Sequence, residues 1–183
     1  MFQDVLANDG AAIAGAVRAL DARGALSPAA IGRDRQVDPT IRGDRTAWFS
    51  ELALPASLQS LWHTFEQLRL VLNRDAWMGL RDFELQLASY PGDGARYAPH
   101  VDTFRGEPVR RVTAIIYLNP DWKESHGGEL FVETPDGSIR IAPKLGRMVV
   151  FRSDVVRHAV EPCWTARYAA TGWFRGADGQ LVR

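Results

Sequence analysis

Apolar positions change their period once along this chain. In the first third they recur at helical spacing. Val5, Ile13, Val17 and Leu20 predict an amphipathic helix over residues 4–23, with Gly24 as its stop. Leu58, Leu61, Phe65, Leu68 and Leu72 predict a second helix over 57–74. Between them, residues 32–47 are polar and carry Gly, Pro and charges of both signs, which reads as one long mobile loop. Such loops in a compact domain are often lids. From residue 82 the texture turns to short β-branched and aromatic runs. The predicted strands are 82–90, 97–102, 109–118, 128–133, 138–141, 147–151, 158–162 and 167–175. Turn signals separate them at Pro91-Gly92-Asp93-Gly94, Asn119-Pro120-Asp121, Gly127-Gly128 and Pro135-Asp136-Gly137. Helices that precede many short strands, without alternation, predict a β-sandwich or barrel rather than a doubly wound sheet.

Composition narrows the function. The chain has 183 residues, with 22 Lys+Arg against 22 Asp+Glu. That length predicts one domain, and the balanced charge offers no footprint for nucleic acid. One cysteine excludes an internal disulfide and a cysteine-rich zinc site. Cys163 reads as a buried small hydrophobe. No apolar run approaches the ~18–20 residues of a membrane span. Asp4, Asp9 and Arg18 interrupt the first 20 residues, which do not read as a secretory signal. The expected setting is the reducing cytoplasm, away from membranes.

Chemistry gathers around the histidines. His100 and Asp102 lie two apart on a predicted strand, which places both on one face. His158, at the start of a late strand, is the best third ligand. Two imidazoles and a carboxylate leave half of an octahedron open, the arrangement of non-haem Fe(II) oxygenases. His63 and His126 have no partner at ligand spacing and read as non-ligands. Arg167 follows His158 by nine residues, on the next predicted strand. A buried guanidinium needs an anion, and its fork suits a carboxylate. A dicarboxylate that chelates the metal with its other end meets both demands, and 2-oxoglutarate is one.

Several segments now carry a resemblance. They are Ile41-Arg-Gly-Asp-Arg-Thr-Ala-Trp48, Tyr90-Pro-Gly-Asp-Gly-Ala-Arg-Tyr-Ala-Pro-His100-Val-Asp102, Val112-Thr-Ala-Ile-Ile-Tyr-Leu-Asn-Pro-Asp-Trp122, Gly127-Gly-Glu-Leu, Pro143-Lys, Arg157-His158 and Trp173-Phe174. Together they resemble the Fe(II)/2-oxoglutarate prolyl 4-hydroxylases, in particular the hypoxia-sensing branch and its bacterial relatives. The resemblance covers residues 38–175. It implies a double-stranded β-helix (jelly-roll) core over about 82–175, with the helices of about 1–75 packed on one sheet. It implies that His100, Asp102 and His158 hold Fe(II). Arg167 and Tyr117 would then bind the far carboxylate of 2-oxoglutarate, with O2 as the second co-substrate and ascorbate as reductant. Collagen-type relatives carry Lys where this chain has Arg167. Tyr90 and Thr171 match positions that line the pocket, and strand alternation puts Thr171 on the face of Arg167. Tyr97 matches an aromatic at the substrate entrance.

Arg42-Gly43-Asp44 copies the integrin tripeptide by letter, which a cytoplasmic chain would not use. The resemblance makes Arg42 and Asp44 part of the substrate entrance, and the plainer alternative is a loop salt bridge. Trp48 and Trp122 follow loop motifs and could flank the cleft. Ile116 replaces a tyrosine of animal members, and residues 103–110 form a charged loop of the kind that selects substrates. The implied reaction is hydroxylation of a prolyl residue, with release of succinate and CO2. The expected partner is a protein with an exposed proline loop, a translation factor first, met by a monomeric enzyme. The alternatives are the same chemistry on a small molecule such as an amino acid, and a jelly-roll sensing module with a structural metal.

Overall fold

A computed structural model of the chain describes residues 5–31, 36–103 and 110–176. Two antiparallel sheets face each other in a jelly roll, and two helices cover the outside of one. The helices are α1 (Gly10–Ala22) and α2 (Gln59–Ala76). The strands are β1 (Ser27–Pro28), β2 (Arg45–Phe49), β3 (Leu80–Tyr90), β4 (Ala95–His100), β5 (Arg110–Tyr117), β6 (Leu130–Thr134), β7 (Gly137–Ile141), β8 (Met148–Arg152), β9 (His158–Cys163) and β10 (Arg167–Gly176). The larger sheet runs β1-β2-β3-β10-β5-β8 and the smaller β4-β9-β6-β7.

Strand alternation divides the larger sheet into two chemistries. On its outer face Leu85 and Leu87 of β3, Val112, Ala114 and Ile116 of β5, and Ala170 and Phe174 of β10 pack with the helices in one core. Ile13, Val17 and Leu20 of α1, and Leu61 and Phe65 of α2, supply the other half. Phe65 lies over Gly172, where a Cβ would sit 2.7 Å from its ring. On the inner face Ile115, Tyr117, Val149 and Ala169 meet Leu130, Val132 and Ile141 of the smaller sheet.

Both predicted helices form, with shifted starts. α1 begins at Gly10, after a 3-10 turn over Ala7–Asp9, because Asn8-Asp9-Gly10 are weak helix formers. Its end is a Schellman cap: Gly24 has φ +73°, its N–H donates to Asp21 O at 2.9 Å, and Ala25 N–H donates to Leu20 O at 3.0 Å. α2 begins at Gln59 and follows a 3-10 turn over Ala56–Leu58.

Three expectations need correction. The segment 32–47 is not one loop: its end enters β2, which pairs with β3 from Arg45↔Ser89 to Phe49↔Leu85. The charges there hid an alternation in which Ala47 and Phe49 face the core and Trp48 faces the cleft. Residues 32–35 of that segment, and 104–109 of the charged loop, lie outside the described residues. The strand expected over 82–90 starts earlier, as Leu80–Tyr90, and lies between β2 and β10. Asp102 is not on the strand of His100. β4 stops at His100, and the Asp102 backbone N–H turns away to Ser153 O at 3.0 Å. Among the described residues no helix is long and apolar enough to cross a membrane.

Candidate active site

The open end between the sheets holds a cavity of ≈ 170 Å³. β4 and β9 bring two histidines to its wall as direct partners in register, His100↔His158. Their rings lie 4.3 Å apart between centroids. The turn after β4 inserts Asp102 between them. Asp102 Oδ1 lies 3.5 Å from His100 Nε2, and Oδ2 lies 3.6 Å from His158 Nε2. One ligand atom from each of the three residues fits within 4.8 Å of the others, the one such group of metal-ligating side chains among the described residues.

Each ring is fixed from behind. His100 Nδ1 lies 2.9 Å from Ala98 O, and His158 Nδ1 lies 3.1 Å from Val156 O. A carbonyl only accepts, so both Nδ1 atoms carry the proton and both Nε2 atoms present a lone pair. Burial holds His158 below its ordinary pKa, which favours the neutral imidazole a metal requires. Burial also pushes Asp102 upward, but in the metal-free protein protonated His100 and His158, by hydrogen bond and charge, and the Thr113 hydroxyl outweigh it and bring it to about 2. Two neutral nitrogens and one carboxylate oxygen fit a divalent iron that keeps open positions.

The opposite wall carries a cation. Arg167 is 4% exposed, opens β10, and donates from Nε to Gly128 O at 2.8 Å. Its guanidinium carbon lies 5.0 Å from the Tyr90 ring and 5.2 Å from the Tyr117 ring. No carboxylate pairs with it among the described residues. Gly128 makes this approach possible: at φ +74°, an added Cβ would stand 2.9 Å from both Arg167 Cδ and Cys163 Sγ. Tyr117 is fully buried and its hydroxyl has no hydrogen-bond partner among the described residues. Burial raises its pKa to about 12, so it remains a donor. An unpaired guanidinium beside an orphaned phenol suits a ligand carboxylate.

Several other expected residues border the same cavity. Thr171 shares the inner face of β10 with Arg167, and Thr171 and Tyr90 line the cavity. Tyr97 stacks on His100 at 3.7 Å between ring centroids. Arg42 and Asp44 do form a salt bridge, Nε to Oδ1 at 2.7 Å and Nη2 to Oδ2 at 3.0 Å. They also line the cavity, and the Arg42 guanidinium sits 4.6 Å from the Tyr97 ring. Burial works against the Arg42 charge, and Asp44 more than restores it, so its pKa is raised. Trp48 lines the cavity, whereas Trp122 does not and donates to Gly127 O at 2.9 Å. His126 sits in a 3-10 turn and His63 on α2, both away from the triad. Cys163 is buried, and burial pushes its thiol up to about 11.

Sequence reasoning missed Gln86, whose Oε1 accepts from Arg42 at 3.1 Å. It missed Arg110, whose guanidinium lies 4.3 Å from the Trp173 ring, and Thr113, which donates to Asp102 at 2.7 Å. Gln86 and Thr113 were findable by period two, since they share a face with Tyr90 and Tyr117 respectively.

Known proteins resemble this chain. The model of the 2OG-Fe(II) oxygenase superfamily matches residues 85–175. Egl nine homolog 1 of Rattus norvegicus is 41% identical over 96 residues, which is 50% of this chain and 28% of that protein. The chain therefore matches under a third of that relative's length. Solved structures align over much more. A Pseudomonas putida prolyl-4-hydroxylase superposes with TM-score 0.84 at 38% identity, covering 93% of this chain and 88% of that one. A prolyl hydroxylase from Trichoplax adhaerens, in complex with a hypoxia inducible factor oxygen degradation domain peptide fragment, gives 0.87 at 26% identity, covering 95% and 81%. With the motifs, the jelly roll and the triad in agreement, the chain belongs to the 2OG-Fe(II) oxygenase superfamily and, within it, to the prolyl hydroxylases.

Proposed function

We propose that this chain is an Fe(II)- and 2-oxoglutarate-dependent dioxygenase that hydroxylates a prolyl residue of a protein, releasing succinate and CO2. The observation that carries the reading is one cavity with the His100–Asp102–His158 group on one wall and Arg167 on the other, with the buried Tyr117 ring 5.2 Å from the Arg167 guanidinium. Iron bound with 2-oxoglutarate and O2 supplies the oxidation of an unactivated C–H bond. The protein supplies everything else. His100, Asp102 and His158 hold the metal on one side. Arg167 and Tyr117 fix the far carboxylate and so orient the chelating end. Tyr90 and Thr171 shape the space between. Burial of Asp102, His158 and Arg167 excludes bulk water from the reacting centre.

The entrance supports a polypeptide substrate. A second hollow of ≈ 480 Å³ shares Arg42, Trp48 and Gln86 with the central cavity and extends along β1 and β2. Two adjoining hollows that share lining residues suit a chain segment that passes the site. The Arg42–Asp44 pair and Tyr97 line the central cavity, and Arg42 belongs to both hollows. The proposed target is a protein with an exposed proline loop, a translation factor being the first choice. The enzyme works as a monomer in the cytoplasm, with ascorbate to keep iron reduced.

The test supplies purified protein with Fe(II), 2-oxoglutarate and ascorbate. Lysate from cells that lack the enzyme provides substrates. Succinate formation together with one added oxygen on a proline in a single protein is the expected result. Succinate formation stimulated by a low-molecular-weight fraction, with no modified peptide, would replace the protein substrate by a small molecule. Metal binding without any 2-oxoglutarate turnover would turn the site into a structural one.

A further inference from the structure

We propose that Thr113 and Ser153 are positioning residues for the metal-ligating carboxylate, an inference that rests on the reading of Asp102 as a ligand. Thr113 stands on the inner face of β5, in the sheet opposite the two histidines. Its Oγ1 donates to Asp102 Oδ2 at 2.7 Å. Ser153 follows β8, and its Oγ lies 2.8 Å from Thr113 Oγ1. Both residues are fully buried. Thr113 has a single hydroxyl proton, and an ionised carboxylate only accepts, so that proton is committed to Asp102. The Ser153 hydroxyl is therefore the donor in the second contact. The bonds run in one direction, Ser153 to Thr113 to Asp102, and each polarises the next.

Ser153 also acts through its backbone. Its carbonyl accepts the Asp102 N–H at 3.0 Å, at the point where the chain leaves β4. Asp102 is thus held at its main chain by Ser153 and at its carboxylate by Thr113. This matters because the turn after β4, unlike the strands, has no ladder to hold it. With Oδ2 engaged, rotation of the carboxylate is blocked, and one oxygen faces each imidazole at 3.5 and 3.6 Å. The β5 and β8 strands, which carry no ligand, thereby set the orientation of the one ligand that is not on a strand. Hydrogen-bond partners of metal ligands of this kind commonly contribute about 10- to 100-fold in affinity.

A packing role alone would be met equally well by valine, which has the shape of threonine without the hydroxyl. The experiment titrates Mn(II) into metal-free protein and reads the free ion by electron paramagnetic resonance. Metal-free thermal unfolding is followed in parallel. Thr113→Val should weaken Mn(II) binding about 10- to 100-fold. Thr113→Ser should restore it to within about threefold, since the donor returns. Ser153→Ala should weaken binding less than Thr113→Val does, because its backbone contact survives. The double variant should bind no more weakly than Thr113→Val alone, because the serine hydroxyl acts through the threonine.

Wild-type affinity in Thr113→Val overturns the inference. So do losses that add in the double variant, or a Thr113→Ser variant as weak as Thr113→Val. If Thr113→Val does not fold, Ser153→Ala decides: affinity unchanged from wild type overturns the relay. Failure of the underlying reading has a different signature. Wild-type protein that binds no Mn(II), or Asp102→Ala that binds it as tightly, removes the metal site and this inference together.

Discussion

Removing the Tyr117 hydroxyl should move stability and affinity in opposite directions. Tyr117 is 0% exposed, and its oxygen has no hydrogen-bond partner among the described residues. A buried hydroxyl left without a partner costs about 1–3 kcal/mol. Tyr117→Phe deletes the oxygen and keeps the ring against Arg167 at 5.2 Å. The ligand-free protein should gain up to that amount, and each 1 kcal/mol raises Tm by about 2–4 °C for a chain of this size. With ligand the sign reverses. A hydrogen bond to a carboxylate is worth about 1.5–3 kcal/mol, or roughly a 10- to 150-fold weaker Kd for 2-oxoglutarate when lost. Calorimetric titration of 2-oxoglutarate into Mn(II)-loaded protein, beside thermal unfolding of the free protein, measures both. A Tm that falls while the Kd stays unchanged would falsify the assignment, because the hydroxyl would then be a structural donor and not a ligand contact.

Three further outcomes are expected. Arg167→Lys should raise the 2-oxoglutarate KM at least tenfold, a loss of about 1.4 kcal/mol, because an ammonium cannot bond Gly128 O and also present a two-pronged face to a carboxylate. An unchanged KM in succinate-release kinetics would remove Arg167 from that role. His158→Ala should abolish metal-dependent turnover and His126→Ala should leave it intact; equal activity of the two would sink the choice of ligands. The metal-free protein should lose stability as pH falls below 6.5, the ordinary histidine value. Burial depresses the folded-state pKa of His158 beneath that point, so the unfolded chain binds the extra proton and is favoured. The loss should be shallower in His158→Gln when Tm is followed between pH 7 and 5.

What could be read from the sequence followed from local periodicity. The outer-face stripe Leu85, Leu87 of β3 and the helical stripe Leu61, Phe65 are both short-range patterns, and both elements form where the pattern lies. Arg167 and Thr171 share a face because four residues of strand return to the same side. The β2 strand was illegible because Arg45 and Thr46 mask its alternation, and a short strand gains its stability from β3 rather than from its own residues.

By itself the sequence determined which chemical groups are present, among them His100, Asp102, His158 and Arg167, and an order of helices then strands. Only the tertiary structure decided how they meet. His100 reached His158 through the β4–β9 pairing across 58 residues of chain, and Asp102 reached them from a turn rather than from the strand. Thr113 and Ser153 reached Asp102 from the opposite sheet, and Gly128 reached Arg167 from the far end of a loop. The physical reason is range. Backbone periodicity is fixed by sterics over a few residues, whereas a metal site or an anion site is a meeting of side chains from separate strands. Its distances are set by sheet register and by the packing of one sheet on the other, and neither is written in any single segment.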